Sequence, residues 1–321
     1  MKNKNIFTLI IPINNGDSTI EKTFNSIIKQ KDLDLIKEII LINDGSNDNS
    51  QQKIENFKKE NKLNIKIINH PKAKGLAASF NQAIKMSTTN FIILTHQDII
   101  LETKLALLKL KKIINQNPTV FYIYPTICHP KNIWNNYNFW QKCLFSRYVN
   151  TKQDAPIEKF DCVSRQQLIN IGLFDDIHFR TAGEDIDLII RAKREKLKYI
   201  ASKIKVIHLH NKNPKFSFKN LVKKEKQLAE TKGVLLRMYG LKIPNIRSFF
   251  REVILVGLFI PKINIFAFIL LTIYIFGYNW RMYSLIFQDN RVFLLPLINL
   301  YLFFANIIAS TKAFLNKKQT I

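Results

Sequence analysis

The chain has 321 residues, 47% of them hydrophobic, which excludes wholesale disorder and leaves enough apolar material for a sizeable core. A formal net charge of +25 points to an anionic partner: a membrane surface, a nucleic acid or an anionic small substrate, although a Lys-, Asn- and Ile-rich bias contributes to it. The three cysteines, Cys128, Cys143 and Cys162, have neither metal-ligand nor redox-motif spacing, and their odd count fits a reducing compartment.

Residues 1–120 alternate strand and helix signals. Lys2 and Lys4 precede the apolar run Ile6–Ile13, which is short and stops at Asn14-Asn15-Gly16-Asp17 without a cleavage site. It reads as a buried first strand, Phe7–Ile13, and not as a secretory leader. Ser18–Gln30 carries Ile20, Phe24, Ile27 and Ile28 at helical spacing. Ile36–Ile42 is a second strand that ends at Asn43-Asp44-Gly45-Ser46. Gln51–Glu60 is a charged helix, Ile65–Ile68 a strand, and Gly75–Met86 a helix with Leu76, Ala77, Phe80, Ala83 and Ile84 inward. Phe91–Leu94 is a strand ending at Thr95-His96-Gln97-Asp98, and Glu102–Ile114 a helix. Such alternation predicts an α/β fold with a mostly parallel sheet. Ligands of those sheets bind at the carboxyl ends of strands, where Asn14, Asn15, Asp44 and Asp98 all fall.

Residues 121–180 are less regular. Trp134–Trp140 (WNNYNFW) suits a sugar-stacking surface or, equally, a satellite aromatic cluster. Phe160–Val163 reads as an edge strand and Gln166–Ile171 as a short helix stopped by Gly172. Thr181–Arg191 (TAGEDIDLIIR) sets Glu184, Asp185 and Asp187 before an apolar-periodic run. Acidic residues there in isolation read first as a helix start favoured by the dipole; the sharper alternative, a carboxylate held as a general base, depends on Leu41–Ser50 and Leu94–Ile99. Tyr199–Ile207 is strand-like and ends in His208-Leu209-His210-Asn211. Residues 216–239 form a basic amphipathic helix.

Val253–Ile260, Ile263–Tyr278 and Val292–Ala309 are heavily apolar, and the last two have about the length that spans a bilayer. Asn264, Asn299 and Asn306 weaken that reading, whereas Tyr278, Trp280 and Tyr301 suit an interfacial belt. Lys242, Arg247, Arg251 and Lys262 before the hairpin, and Lys312, Lys317 and Lys318 after it, put both ends on the cytoplasmic side. The expected organisation is a domain over 1–240 and a membrane-associated helical tail over 241–321.

Several residues carry candidate chemistry. Asp44 offers a short carboxylate at a strand end, for a pyrimidine N–H or a ribose hydroxyl, or it is simply a good turn residue. Asp98 is a hard oxygen ligand suited to Mg2+ or Mn2+ on a diphosphate, or an N-cap. His208 and His210 could face one way, but two histidines without further ligands are a weak zinc signal.

These segments together resemble glycosyltransferase family 2, with the GT-A fold. Thr8–Gln30 resembles the family's opening strand, Pro-x-x-Asn turn and helix. Leu41–Ser50 resembles its Asp-Asp-Gly-Ser segment, with Asn43 for the first Asp. Gly75–Ile84 resembles its next helix, with Phe80 where many members carry Arg. Thr95–Asp98 occupies the place of the Asp-x-Asp motif, although His96 is not acidic. Phe174–Arg191 resembles the acceptor segment, and His208-x-His210-Asn211 the histidine segment after it.

The resemblance implies a nucleotide-sugar donor, Mg2+ or Mn2+ as cofactor, and inverting transfer. Asp185 would be the general base, with Glu184 beside it, and Asp98 and His208 would hold the metal-diphosphate. Asp44 would contact the nucleotide, and Pro12, Asn14, Asn15, Gly75, Asn81, Thr95, His96, Gln97 and Arg191 would line the substrate side. The His-Gln-Asp form resembles the rhamnosyltransferase-like branch of bacterial surface polysaccharide synthesis. That implies a lipid-linked glycan acceptor, a place on the cytoplasmic face of the inner membrane and no nucleic-acid partner. A polyprenyl-phosphate glycosyltransferase and an inactive sugar-nucleotide-binding membrane protein are the competing expectations. A dinucleotide dehydrogenase is disfavoured, since no Gly-x-Gly-x-x-Gly follows the first strand.

Overall fold

The computed structural model describes residues 5–180, 182–210, 212–240 and 249–316. Two compact units emerge: Met1–Ile133 with Asn150–Lys212, and Trp134–Val149 with Asn213–Ile321.

The first unit is built on one sheet. Its strands are β1 (Phe7–Ile13), β2 (Ile36–Asp44), β3 (Ile65–His70), β4 (Phe91–Leu94), β5 (Ile99–Leu101), β6 (Tyr122–Cys128), β7 (Lys152–Asp154), β8 (Asp161–Ser164) and β9 (Tyr199–His208). The spatial order is β3-β2-β1-β4-β8-β6-β9-β5, with β7 paired onto β6. β3, β2, β1 and β4 are parallel, and β8 enters antiparallel between β4 and β6. Helices cover both faces, which is why β1 is a continuous buried apolar run and not an alternating one. One face takes α1 (Ile20–Ile28), α2 (Ser50–Glu60) and α4 (Ala106–Gln116), through Phe24, Ile27, Ile54, Phe57, Leu107 and Leu110. The other takes α3 (Leu76–Met86), through Ala77, Phe80, Ala83 and Ile84.

Three strands escape the sequence pattern. One is β7, which pairs only onto β6 among the described residues. β6 carries Pro125, which has no N–H to give a ladder and so argues against a central strand. The structure accommodates it at a register shift between Tyr124 and Thr126, where β6 pairs with β9. β5 is three residues long, and it holds the chain extended just where a helix was expected to begin at Glu102. The helix starts only at Ala106.

The chain leaves this sheet through α5 (Lys131–Asn135) and α6 (Phe139–Phe145), returns for β7 and β8, and continues into α7 (Arg165–Asn170) and α8 (Glu184–Arg194). Leu168 of α7 with Leu188 and Ala192 of α8 join the α3 side of the core.

The second unit is helical: α6, α9 (Phe218–Tyr239), α10 (Phe250–Gly257), α11 (Asn264–Gly277), α12 (Trp280–Leu285) and α13 (Leu295–Leu315). α9 begins at Ser217, which forms a reciprocal capping box with Asn220. It lies so close to α13 that a Cβ on Gly233 would sit 2.1 Å from the Ser310 carbonyl oxygen. The WNNYNFW stretch contributes Trp134, Tyr137 and Phe139 to the interior of this unit, each under 7% exposed, so it behaves as an aromatic cluster. Asn138 within it caps α6 and donates to the Phe216 carbonyl at 2.7 Å.

Among the described residues, Asn264–Leu285 and Asn290–Leu315 are long and apolar enough to cross a membrane, with mean hydropathies of 1.4 and 2.2. α11 turns Ile265, Phe266, Phe268 and Ile273 outward, each more than 60% exposed. Of the asparagines that weakened the spanning reading, Asn299 has an internal use, whereas the buried Asn306 amide has no hydrogen-bond partner among the described residues. Asn279 donates to Asn299 at 3.0 Å, and Asn299 donates to the Ile275 carbonyl at 2.7 Å. A satisfied amide between helices costs an apolar medium little. Lys242, Arg247, Lys317 and Lys318, invoked for orientation, lie outside the described residues.

Candidate active site

Turns at the carboxyl ends of β1, β2 and β4 meet around a pocket of about 240 Å³. Pro12, Asn14, Asp44, Gly75, His96, Gln97 and Asp98 line it, together with Ile13, Ala73, Leu76 and Arg180. Parallel strands deliver all three turns to the same sheet edge, which is the physical basis of the expectation drawn from the pattern.

The pocket wall is held by side-chain-to-backbone clamps. Gln97 accepts from the Asn14 N–H at 2.8 Å and donates to the Asn14 carbonyl at 3.0 Å, so β1 and β4 ends are locked together. Asn14 donates to the Asp44 carbonyl at 2.6 Å. The Asp44 carboxylate is buried and accepts from His70 Nδ1 at 2.7 Å and from the backbone N–H groups of Lys74 and Gly75 at 2.8 and 2.9 Å. A carboxylate can accept about four hydrogen bonds. Asp44 therefore shapes the 71–75 loop first and keeps limited capacity for a ligand. Gly75 has φ +104°, and a Cβ on it would lie 2.5 Å from the Arg180 carbonyl oxygen. Only glycine lets that loop approach. Arg180, exposed, donates to the Ala73 and Lys74 carbonyls at 2.9 and 3.2 Å and closes the pocket from the other side.

Asp98 sits at the pocket floor. Its Oδ2 lies 3.2 Å from His208 Nε2, while its Oδ1 is buried without a hydrogen-bond partner among the described residues. Burial alone would raise its pKa. His208, at hydrogen-bond distance, and the Lys159 charge beyond it outweigh burial and hold it well below the usual carboxylate range. An ionised, buried, unpartnered oxygen fits a divalent cation, so the residues suit the ion that the resemblance implies.

Glu184 and Asp185 open α8 behind Gly183, which has φ +98°. Glu184 is buried, and its Oε2 has no hydrogen-bond partner. Asp185 Oδ1 accepts from the Ile186 N–H at 2.7 Å. Burial raises the pKa of both, and the Asp185 charge raises Glu184 further. Lys159, buried, acts against these shifts. Its charge bears on Glu184, Asp185 and Asp98 alike.

His96 faces Lys159, with Nδ1 2.6 Å from the ammonium, and burial together with that charge keeps its pKa well below the ordinary value. Burial also lowers His208, and lowers His129 to about 4.

Four expected substrate residues do not line the pocket. Asn81 exchanges hydrogen bonds with the Phe174 backbone at 2.8 and 3.0 Å, tying α3 to the segment before α8. Arg191 is committed to Asp187 at 2.6 Å and to the Leu173 carbonyl at 2.6 Å. Asn15 braces the β1 turn against Ser46 and Asn47. Thr95 is buried, and its N–H bonds the Ile10 carbonyl. Thr181 and Asn211 lie outside the described residues. Lys159 and Arg180 are the cations that sequence reasoning missed. Arg180 lies within the acceptor-like stretch Phe174–Arg191, but Lys159 belongs to no motif.

The curled α/β sheet, its pocket at the strand ends and the acidic helix start define a domain of the GT-A type. The chain belongs to glycosyl transferase family 2, whose family model matches residues 8–178. Solved structures share the fold at 16% identity. A mannosyltransferase from Pyrobaculum calidifontis in complex with GDP-Man and Mn2+ aligns with a TM-score of 0.61 over 98% of this chain and 89% of its own. GalNAc-T7 with UDP, GalNAc and Mn2+ aligns at 0.53 over 79% of this chain and 55% of its own. S. aureus TarS 1–349 in complex with UDP-GlcNAc aligns at 0.51 over 96% and 90%. No curated protein sequence matches the chain.

Proposed function

We propose that this chain is an inverting glycosyltransferase, moving a sugar from a nucleoside-diphosphate sugar to a hydroxyl of a membrane-linked glycan. The observation that carries the reading is Asp98, which lines the strand-end pocket with a buried carboxylate oxygen that has no hydrogen-bond partner among the described residues. The Lys159 charge favours ionisation of Asp98 and of the Glu184–Asp185 pair alike. A transfer reaction needs a site for the leaving diphosphate next to a base for the acceptor proton.

In this reading the pocket holds the donor, with Pro12, Asn14 and Asp44 toward the nucleotide and Gly75, His96, Gln97 and Arg180 toward the diphosphate. Asp98, with His208 beside it, would hold Mg2+ or Mn2+, which supplies charge neutralisation to the departing diphosphate. The Mn2+ named with two similar structures supports a divalent ion. Asp185 takes the acceptor proton as the hydroxyl oxygen attacks the anomeric carbon from the face opposite the leaving group, which inverts that centre. Glu184 orients the acceptor. Asn15, Asn81, Thr95 and Arg191 hold the loops that carry these groups.

Residues 1–240 would carry the transfer, and 241–321 would serve as the membrane-associated tail at the cytoplasmic face of the inner membrane. The outward apolar side chains of α11 support that, because a monomeric soluble surface rarely shows so many together. The His96-Gln97-Asp98 form supports a place in the rhamnosyltransferase-like branch.

The test is calorimetric titration of detergent-solubilised full-length protein with UDP, dTDP and GDP, with and without Mn2+. One nucleotide bound tightly and only with the ion is the expected result, and it fixes the donor class. Folded protein that binds none of the three overturns the reading.

A further inference from the structure

We propose that His129, His208 and His210 form a nitrogen-rich metal centre that takes a late first-row divalent ion such as Zn2+. β6 and β9 run parallel with Cys128 opposite Ile207, so His129 arrives beside His208 as both strands end. His210 follows with φ 50°, a backbone conformation uncommon outside glycine. Its ring centroid lies 3.7 Å from that of His208 and 5.5 Å from that of His129. One nitrogen from each of the three rings lies within 4.8 Å of the other two. Zinc–imidazole bonds of about 2.0–2.1 Å set ligand nitrogens ~3.4 Å apart in a tetrahedral site, so small ring rotations complete the set.

The rings are also braced in the way ligating histidines usually are, through a second polar partner. Asp98 Oδ2 lies 3.2 Å from His208 Nε2, and the Gln153 side chain hydrogen-bonds His129. Imidazole nitrogen suits Zn2+, Co2+ and Ni2+, whereas Mg2+ takes oxygen ligands. The sequence displays only the His-x-His half of this set; the third ligand comes from a distant strand.

The centre shares His208, and through it Asp98, with the donor reading, but it requires no nucleotide, and its test uses none. Chelator-stripped full-length protein would be titrated with Co2+ in the absence of nucleotide and followed by visible absorption, then competed with Zn2+ and with Mg2+. The expected result is one Co2+ per chain with the absorption of a four- or five-coordinate ion, displaced by stoichiometric Zn2+ and not by excess Mg2+. His129→Gln and His210→Gln should each weaken Zn2+ at least ~10-fold while the metal-free protein melts as wild type does. Absence of Co2+ absorption in the wild type, equal competition by Mg2+, or wild-type affinity in both variants would overturn the proposal. A preparation that binds a nucleoside diphosphate with Mn2+ yet no Zn2+ loses this centre and keeps the transferase.

Discussion

Lys159 Nζ lies 2.6 Å from His96 Nδ1, in a partly buried contact. An ammonium donates to an imidazole nitrogen only when that nitrogen carries a lone pair, so His96 is neutral here. The residue standing at the first position of the altered Asp-x-Asp motif therefore brings no positive charge to the pocket; Lys159 does.

Removing that charge should affect binding and rate together. Lys159→Met is expected to lower kcat/KM by about 10²-fold, the size of effect that follows from losing ~2–3 kcal/mol of charge stabilisation. Steady-state kinetics on the folded variant checks this. A wild-type kcat/KM would show that Lys159 only fills space.

The base assignment rests on Asp185. Asp185→Asn keeps the shape of the α8 start and removes the proton acceptor. Transfer should fall by ~10²–10⁴-fold, while donor binding by calorimetry stays within about twofold. Turnover like that of wild type would remove Asp185 from the mechanism.

The pH profile should report the same group. Burial raises Asp185 above the ordinary carboxylate value, and a general base works only when ionised. The rate is expected to fall as pH drops through that raised pKa, so the acid limb lies at higher pH than an exposed Asp would give. Lys159 holds Asp185 down, so Lys159→Met should move the limb to still higher pH. A limb that stays put in the variant would mean another group is being titrated.

Asp98→Ala removes the buried oxygen that has no partner within the chain. Mn2+-dependent nucleotide binding should weaken at least ~10-fold, and the metal titration should flatten. An unchanged titration would move the ion elsewhere.

A stability prediction comes from Glu38, far from the pocket. Burial would raise its pKa, but Lys66 at 2.6 Å, the Thr88 N–H and hydroxyl, and the Thr8 hydroxyl outweigh it and lower the value from 4.5 to about 2. A depressed pKa stabilises the fold above about pH 4.5, and that stability is lost as pH falls toward 2. Glu38→Gln should cost about 1–2 kcal/mol at pH 7, allowing for solvent screening at the half-exposed Lys66. The gap to wild type should shrink in denaturant melts near pH 2. An equal gap at both pH values would assign the cost to packing.

Much of the first unit was legible because its signals are local. Continuous apolar runs such as Phe7–Ile13 and Ile36–Ile42 have to be buried on both faces, and helix periodicity between them dictates crossovers. Asn14, Asp44 and Asp98 were legible for the same reason, since a parallel sheet sends every strand end to one edge. β6 was not, because Pro125 breaks the strand pattern and only pairing with β8 and β9 rescues it. Asn81 and Arg191 sit in motifs that resemble the family's, yet their side chains are consumed by the Phe174 and Leu173 backbones.

The sequence by itself determined the alternating α/β order, the edge at which a ligand would meet the sheet and the apolar character of the tail. Periodicity and turn chemistry act over a few residues, and they suffice for that. Only the tertiary structure decided that Lys159 packs against His96, with its charge bearing on Asp98, Glu184 and Asp185, and that His129 joins His208 and His210. Both depend on strand order and register, which bring together residues that no spacing along the chain connects.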